Sequence, residues 1–140
     1  MIREARITDY ERIQSICELD LGYICEKDLV KMRLTNLDHK RECVYVACED
    51  NKVIGFVHVE VYEVLYAPSM ANILGIAVSS EYRRQGIGKL LLSKAEEWAK
   101  CKGINMMRLN SGATRKEAHE FYRSMGYNDE KSQQRFIKSL

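Results

Sequence analysis

The sequence predicts a mixed α/β fold in a single domain of residues 1–140. Three observations carry that reading. Apolar residues alternate or cluster in some stretches, as strands do, and recur at helical spacing in others. No repeat or Pro/Gly/Ser-rich linker divides the chain, whose one proline is Pro68. Between residues 71 and 110 an apolar run, a glycine turn, an amphipathic stretch and a second apolar run follow one another, the pattern of a βαβ unit. A chain of 140 residues with 46% hydrophobic residues has the material for one core.

The elements follow in order. "IREAR" (2–6) reads as a short strand. Thr8 then reads as an N-cap, with Glu11 completing a capping box, and Ile13, Ile16 and Cys17 share one helical face up to Asp20. Residues 26–37, with Leu29, Met32 and Leu37, read as a second helix. In "CVYVACEDNKVIGFVHVEVY" two β-branched runs flank Asp50-Asn51, a hairpin signal. "ANILGIAV" (71–78) is apolar enough for a strand buried on both faces, and Gly75 inside it hints at a bulge. Ile87, Leu90, Leu91, Ala95, Trp98 and Ala99 form a 3.6-residue stripe closed by Gly103. "INMMRLN" (104–110) reads as a strand, 114–125 as a helix stopped by Gly126, and "QQRFIKSL" (133–140) as a last strand.

Composition excludes some functions. Lys plus Arg number 22 against 20 Asp plus Glu, a net charge of +2, so nucleic-acid binding is not expected. The five cysteines form no C-x-x-C and no ligand spacing with the three histidines, so no metal is expected. An odd cysteine count and no apolar run of spanning length point to a reduced, cytoplasmic protein away from membranes.

The chemistry concentrates in "SSEYRRQGIGKLLLSKAEEWAK" (79–100). Gly86 and Gly88 stand behind Arg83 and Arg84 at the mouth of a helix, with Lys89 just inside. Unpaired N–H groups and the helix dipole make such a mouth an anion site, and glycine lets the backbone approach the ligand. A Walker loop fits worse, because Arg83 stands in place of its first glycine and Leu90 replaces the metal-holding hydroxyl; a dinucleotide fingerprint fits worse because Leu91 replaces the third glycine.

Around that turn, "ILGIAVSSEYRRQGIGKLLL" (73–92) resembles motif A of the GNAT (N-acetyltransferase) superfamily, with [RQ]-x-x-G-x-[GA] as Arg83-Arg84-Gln85-Gly86-Ile87-Gly88. "SGATRKEAHEFYRSMGY" (111–127) resembles motif B through Ala118, Phe121, Tyr122, Gly126 and Tyr127. The resemblance implies a GNAT-like, mostly antiparallel mixed sheet with a central βαβ unit and flanking helices. It implies acetyl-CoA as cosubstrate, held by the backbone of Ile76, Ala77 and Val78 and by residues 83–89. It implies an amine acceptor and, since members often pair, a homodimer. Arg115 sits where the family usually has a coenzyme-binding asparagine, and Leu74 and Gly75 where many members carry an acidic residue. Tyr122 is the expected general acid. Of His58, Glu60 and Tyr62, which alternate onto one strand face, Glu60 is the best carboxylate base, with Glu63 at the strand's end as the second choice; His119 reads as structural. The leading function is acetylation of a small-molecule amine, with aminoglycosides among the analogies. Acetylation of protein N-termini or lysines and a non-catalytic acyl-CoA sensor are the alternatives.

Overall fold

The computed structural model describes all residues from Met1 to Leu140 and resolves them into two compact units, Met1–Leu109 and Asn110–Leu140. The first unit is built on a five-stranded sheet in the order β1-β2-β3-β4-β5. The strands are β1 (Ile2–Glu4), β2 (Glu42–Glu49), β3 (Lys52–Tyr62), β4 (Met70–Val78) and β5 (Met107–Leu109). The first four run antiparallel to their neighbours, and β4 and β5 are parallel. The helices are α1 (Tyr10–Asp20), α2 (Lys27–Thr35) and α3 (Ile87–Cys101). The β4–α3–β5 stretch is the expected βαβ unit. Asp50 and Asn51 turn the β2–β3 hairpin with φ of 51° and 64°, values that a two-residue turn of matching twist requires.

Side-chain alternation sends successive residues to opposite sheet faces. On one face Val44, Val46, Phe56 and Ala77 pack with Ile13 and Ile16 of α1 and Leu34 of α2. On the other, α3 lies against β2, β3 and β4 with Leu91, Leu92 and Ala95 wholly buried, and Val57 and Val59 take the alternate positions. The helix ends at Gly103, whose φ of 75° and N–H bond to the Lys100 carbonyl fit a left-handed C-terminal glycine.

Three expectations are corrected. Thr8 caps nothing: it lies inside a single 3-10 turn (Ile7–Asp9), and Asp9 organises the entry to α1. The strand expected over 104–110 forms only at Met107–Leu109, because Ile104 N–H is still bonded to the Ala99 carbonyl at the helix end. The last strand, over 133–140, does not form; Phe136, Ile137 and Leu140 are exposed. Alternation supplies strand propensity, whereas a strand also needs a ladder to satisfy its backbone.

Asp9 accepts both Arg3 guanidinium nitrogens, at 2.8 and 3.0 Å, and the Arg6 N–H at 2.7 Å. Burial pushes its carboxyl up, but the Arg3 and Arg6 bonds outweigh burial and hold it below the ordinary range. A depressed carboxyl contributes stability that is complete above its unfolded pKa and is lost as pH falls through the folded one. Asp9→Ala is therefore expected to cost about 2–3 kcal/mol at pH 7. The cost should shrink in thermal melts as pH falls below about 4; a cost that does not change with pH would contradict the assignment.

Candidate active site

The geometry of β4 sets the site. His58 pairs with Gly75 and Val59 with Ile73, which leaves Leu74 as an extra residue on β4. The irregularity hinted at by Gly75 is thus a bulge at Leu74, which is 50% exposed although an all-buried strand was expected. β5 pairs with β4 only up to Ile73. Past the bulge, β4 is bonded to β3 alone. The Ser79 N–H donates to the Ile54 carbonyl at 2.8 Å, which sets the phase of that ladder. Gly75 and Ala77 turn their backbone groups to β3, so Ile76 and Val78 present theirs at the open edge. Such an edge can bond an extended amide chain.

The open edge leads into the glycine turn. Ser80–Tyr82 is a single 3-10 turn, Arg83 is extended, and Arg84 and Gly86 have φ of 64° and 78°. The first bond of α3 runs from the Leu90 N–H to the Gly86 carbonyl at 3.1 Å. No side chain caps the helix, so the N–H groups of Ile87, Gly88 and Lys89 have no helical partner. Arg84, Gln85, Gly86 and Lys89 are exposed. A Cβ built at Gly86 meets nothing within 4 Å. Packing therefore does not demand this glycine; its left-handed backbone and the open space before it do.

Arg83 is tied from two sides. Its Nε reaches the Val78 carbonyl at 3.4 Å, and a terminal nitrogen reaches Asp20 Oδ1 at the same distance. Asp20 also accepts the Ser80 N–H at 3.0 Å, which links the end of α1 to the turn after β4. Its carboxylate is thus engaged within the fold.

His58, Glu60 and Tyr62 share one sheet face, as their alternation requires. The pairings Glu42–Glu60, Glu60–Asn72 and Asn72–Arg108 place four polar residues in one row across β2, β3, β4 and β5. Asn72 Nδ2 donates to Glu60 Oε2 at 2.8 Å, and Arg108 donates to Asn72 Oδ1 at 2.8 Å. The Arg108 guanidinium lies 4.3 Å from the centre of the Tyr62 ring. Glu42 bonds His58 Nε2 at 2.7 Å and accepts the Asp38 N–H at 3.2 Å. Asn72 and Arg108 were not singled out from the sequence. The available signal was a lone polar residue in "ANILGIAV" and a lone arginine in "INMMRLN".

The second unit carries α4 (Lys116–Ser124), with Arg115 at its N-terminal boundary and Gly126, at φ 91°, beyond its end. The Tyr122 ring packs edge-on to Phe121 at 5.3 Å and against Tyr127 at 6.2 Å. Burial pushes the Tyr122 phenol above its ordinary value of 10, while the Arg115 charge draws it part of the way back. At neutral pH the phenol is a proton donor. His119 Nε2 lies 2.9 Å from the Gly112 carbonyl. A carbonyl only accepts, so this nitrogen carries the hydrogen and pins the preceding loop.

An open strand edge running into an uncapped, glycine-mouthed helix has the shape and the free N–H groups to suit an extended, anion-bearing ligand. The chain belongs to the acetyltransferase (GNAT) family, which it matches over residues 2–127. It is 34% identical over 132 residues to an uncharacterized N-acetyltransferase of Chlorobaculum tepidum, covering 91% of this chain and 75% of that one. It is 30% identical to the aminoalkylphosphonate N-acetyltransferase of Salmonella typhimurium, covering 99% of this chain and 90% of the relative. Among solved structures, an aminoglycoside acetyltransferase from an uncultured soil metagenomic sample, in complex with trehalose, superposes with a TM-score of 0.81. It is 26% identical, and the match covers 100% of this chain and 95% of that one. The family and these relatives make the chain an acetyl-CoA-dependent N-acetyltransferase. No helix is long and apolar enough to cross a membrane.

Proposed function

We propose that the protein transfers an acetyl group from acetyl-CoA to the primary amine of a small molecule, and that residues 1–140 act as one catalytic domain. The observation that carries this reading is the continuity of the bulged, open edge of β4 with the Gly86 turn. An extended thioester arm matches the edge, and a pyrophosphate matches the uncapped helix mouth. The family match spans both units, which supports the single domain. Two relatives named for small amine substrates, an aminoalkylphosphonate and an aminoglycoside, support the acceptor class. Homodimers are common in the family, and light scattering would test for one here.

Coenzyme A supplies the activated acetyl group as a thioester. In this reading the N–H groups of Ile76 and Val78 bond the extended arm and polarise the thioester carbonyl, whereas Ala77, expected with them, is corrected because its backbone groups face β3. Arg83, Arg84, Gln85, Gly86, Ile87, Gly88 and Lys89 hold the pyrophosphate, and Arg115 stands in for the family's asparagine. Glu60 takes the proton that an alkyl ammonium, with a pKa of about 10.4, must lose before attack. Asn72, beside Glu60, is four residues before Ile76, roughly 10–13 Å along the strand. Glu60 therefore works through a chain of bridging water molecules. Tyr122 gives its proton to the departing sulfur.

The test is thiol release from acetyl-CoA with sisomicin, 2-aminoethylphosphonate, spermidine and a lysine-containing peptide offered separately. Turnover with a small amine supports the reading. Turnover with the peptide alone moves the activity to protein acetylation, and coenzyme binding without any turnover makes the protein a sensor. In the same assay Glu60→Gln is expected to lower kcat about 10²-fold or more. An unchanged rate would reduce Glu60 to an ordinary strand residue.

A further inference from the structure

We infer that Asn72 and Arg108 are positioning residues for the Glu60 carboxylate, so that the sheet itself aims the proton acceptor. The inference rests on Glu60 as the base and adds what holds it. With the β3–β4 ladder continued unbroken from His58–Gly75, Glu60 would face Ile73. The extra residue at Leu74 slips the register by one and brings Asn72 opposite Glu60, on the same face. One bulge thus does two things: it precedes the open edge at Ile76 and Val78, and it seats a polar partner beside the carboxylate.

The chemistry permits one arrangement. A guanidinium only donates and a carboxylate only accepts, so an amide between them must turn its oxygen to Arg108 and its nitrogen to Glu60. That is the orientation found, with both bonds at 2.8 Å. Asn72 is 9% exposed, so its amide cannot simply exchange these partners for water. Arg108 is itself held over the Tyr62 ring. Glu42, directly across from Glu60, would repel it. Its oxygens are instead occupied by His58 and the Asp38 N–H. Glu60 is fixed through Oε2, and Oε1 is left to receive a proton.

The test has two arms. The first needs no acceptor: nitrogen–proton spectra of side-chain amides. Asn72 amide protons are expected to exchange at least tenfold more slowly than those of exposed Asn36, and Arg108→Ala should release them. Exchange at the free-amide rate in the wild-type protein would overturn the inference. The second is a double-mutant cycle in thiol release with sisomicin and 2-aminoethylphosphonate, with thermal melts to confirm folding. Asn72→Ala should lower kcat about tenfold with KM nearly unchanged, and should cause no further loss in a Glu60→Gln background, since it acts only through that carboxylate. Asn72→Asp keeps the size but removes the donor, and should lose as much. Equal losses in both backgrounds would mean a merely structural role and overturn the inference. A wild-type rate in Glu60→Gln would instead sink the base reading and, with it, the catalytic meaning of the clamp.

Discussion

Gly86→Val is expected to weaken acetyl-CoA binding by about 100-fold or more, or roughly 2.7 kcal/mol, while the protein stays folded. The asymmetry follows from where the new side chain goes. At φ 78° an L residue pays the left-handed penalty of about 1–2 kcal/mol, and a β-branched one at the upper end. That is a modest charge on the fold, because a Cβ there meets no protein atom within 4 Å. The steric cost falls on whatever approaches the helix mouth, where the N–H groups of Ile87, Gly88 and Lys89 await an acceptor. Gly55 is the opposite case: its Cβ would stand 2.9 Å from the Ala77 carbonyl oxygen, so that glycine serves packing. Calorimetric titration beside a thermal melt separates the two kinds of loss. Unchanged affinity in a folded Gly86→Val protein would remove the turn from the coenzyme site.

Which features were legible in the sequence depends on how far apart the determining residues lie. The Asp50-Asn51 turn and the Gly103 stop are written within a few residues of where they act, and both are found; the α3 stripe is found at Leu91, Ala95 and Ala99, but Leu90 is 54% exposed and Leu92 is buried in its place. The Gly86 turn was legible for the same reason. The bulge was half legible: Gly75 marked the place, but the extra residue is Leu74, and only pairing with β3 decides that. The Glu60–Asn72–Arg108 row was not legible. It joins residues 12 and 36 positions apart, and its register depends on the bulge offset. The entry to α1 misled because Thr8 and Glu11 fit a capping pattern, while Asp9, bonded to Arg3 and Arg6, does the work. The segment 133–140 misled because propensity is local and strand formation is not.

Tyr122→Phe is expected to lower kcat by about 10²–10⁴-fold with nearly unchanged acetyl-CoA affinity. At about 1.4 kcal/mol per tenfold, the loss is roughly 3–5 kcal/mol of transition-state stabilisation. As the thioester collapses, charge gathers on the sulfur, and a neutral donor there lowers the barrier without adding much to ground-state binding. The substitution removes only the hydroxyl. The ring keeps its contacts with Phe121 and Tyr127, so α4 should remain folded. Burial, the larger influence on this phenol, raises its pKa above 10 against the opposing pull of Arg115. The proton is therefore retained throughout the neutral range, and its loss should appear only as a basic limb above about pH 10. Arg115→Ala, by removing the opposing charge, should move that limb to still higher pH. Thiol release measured across pH, beside direct titration of acetyl-CoA, distinguishes these effects. Wild-type turnover in Tyr122→Phe would leave Tyr122 a packing residue of α4, and the leaving sulfur would then take its proton from water.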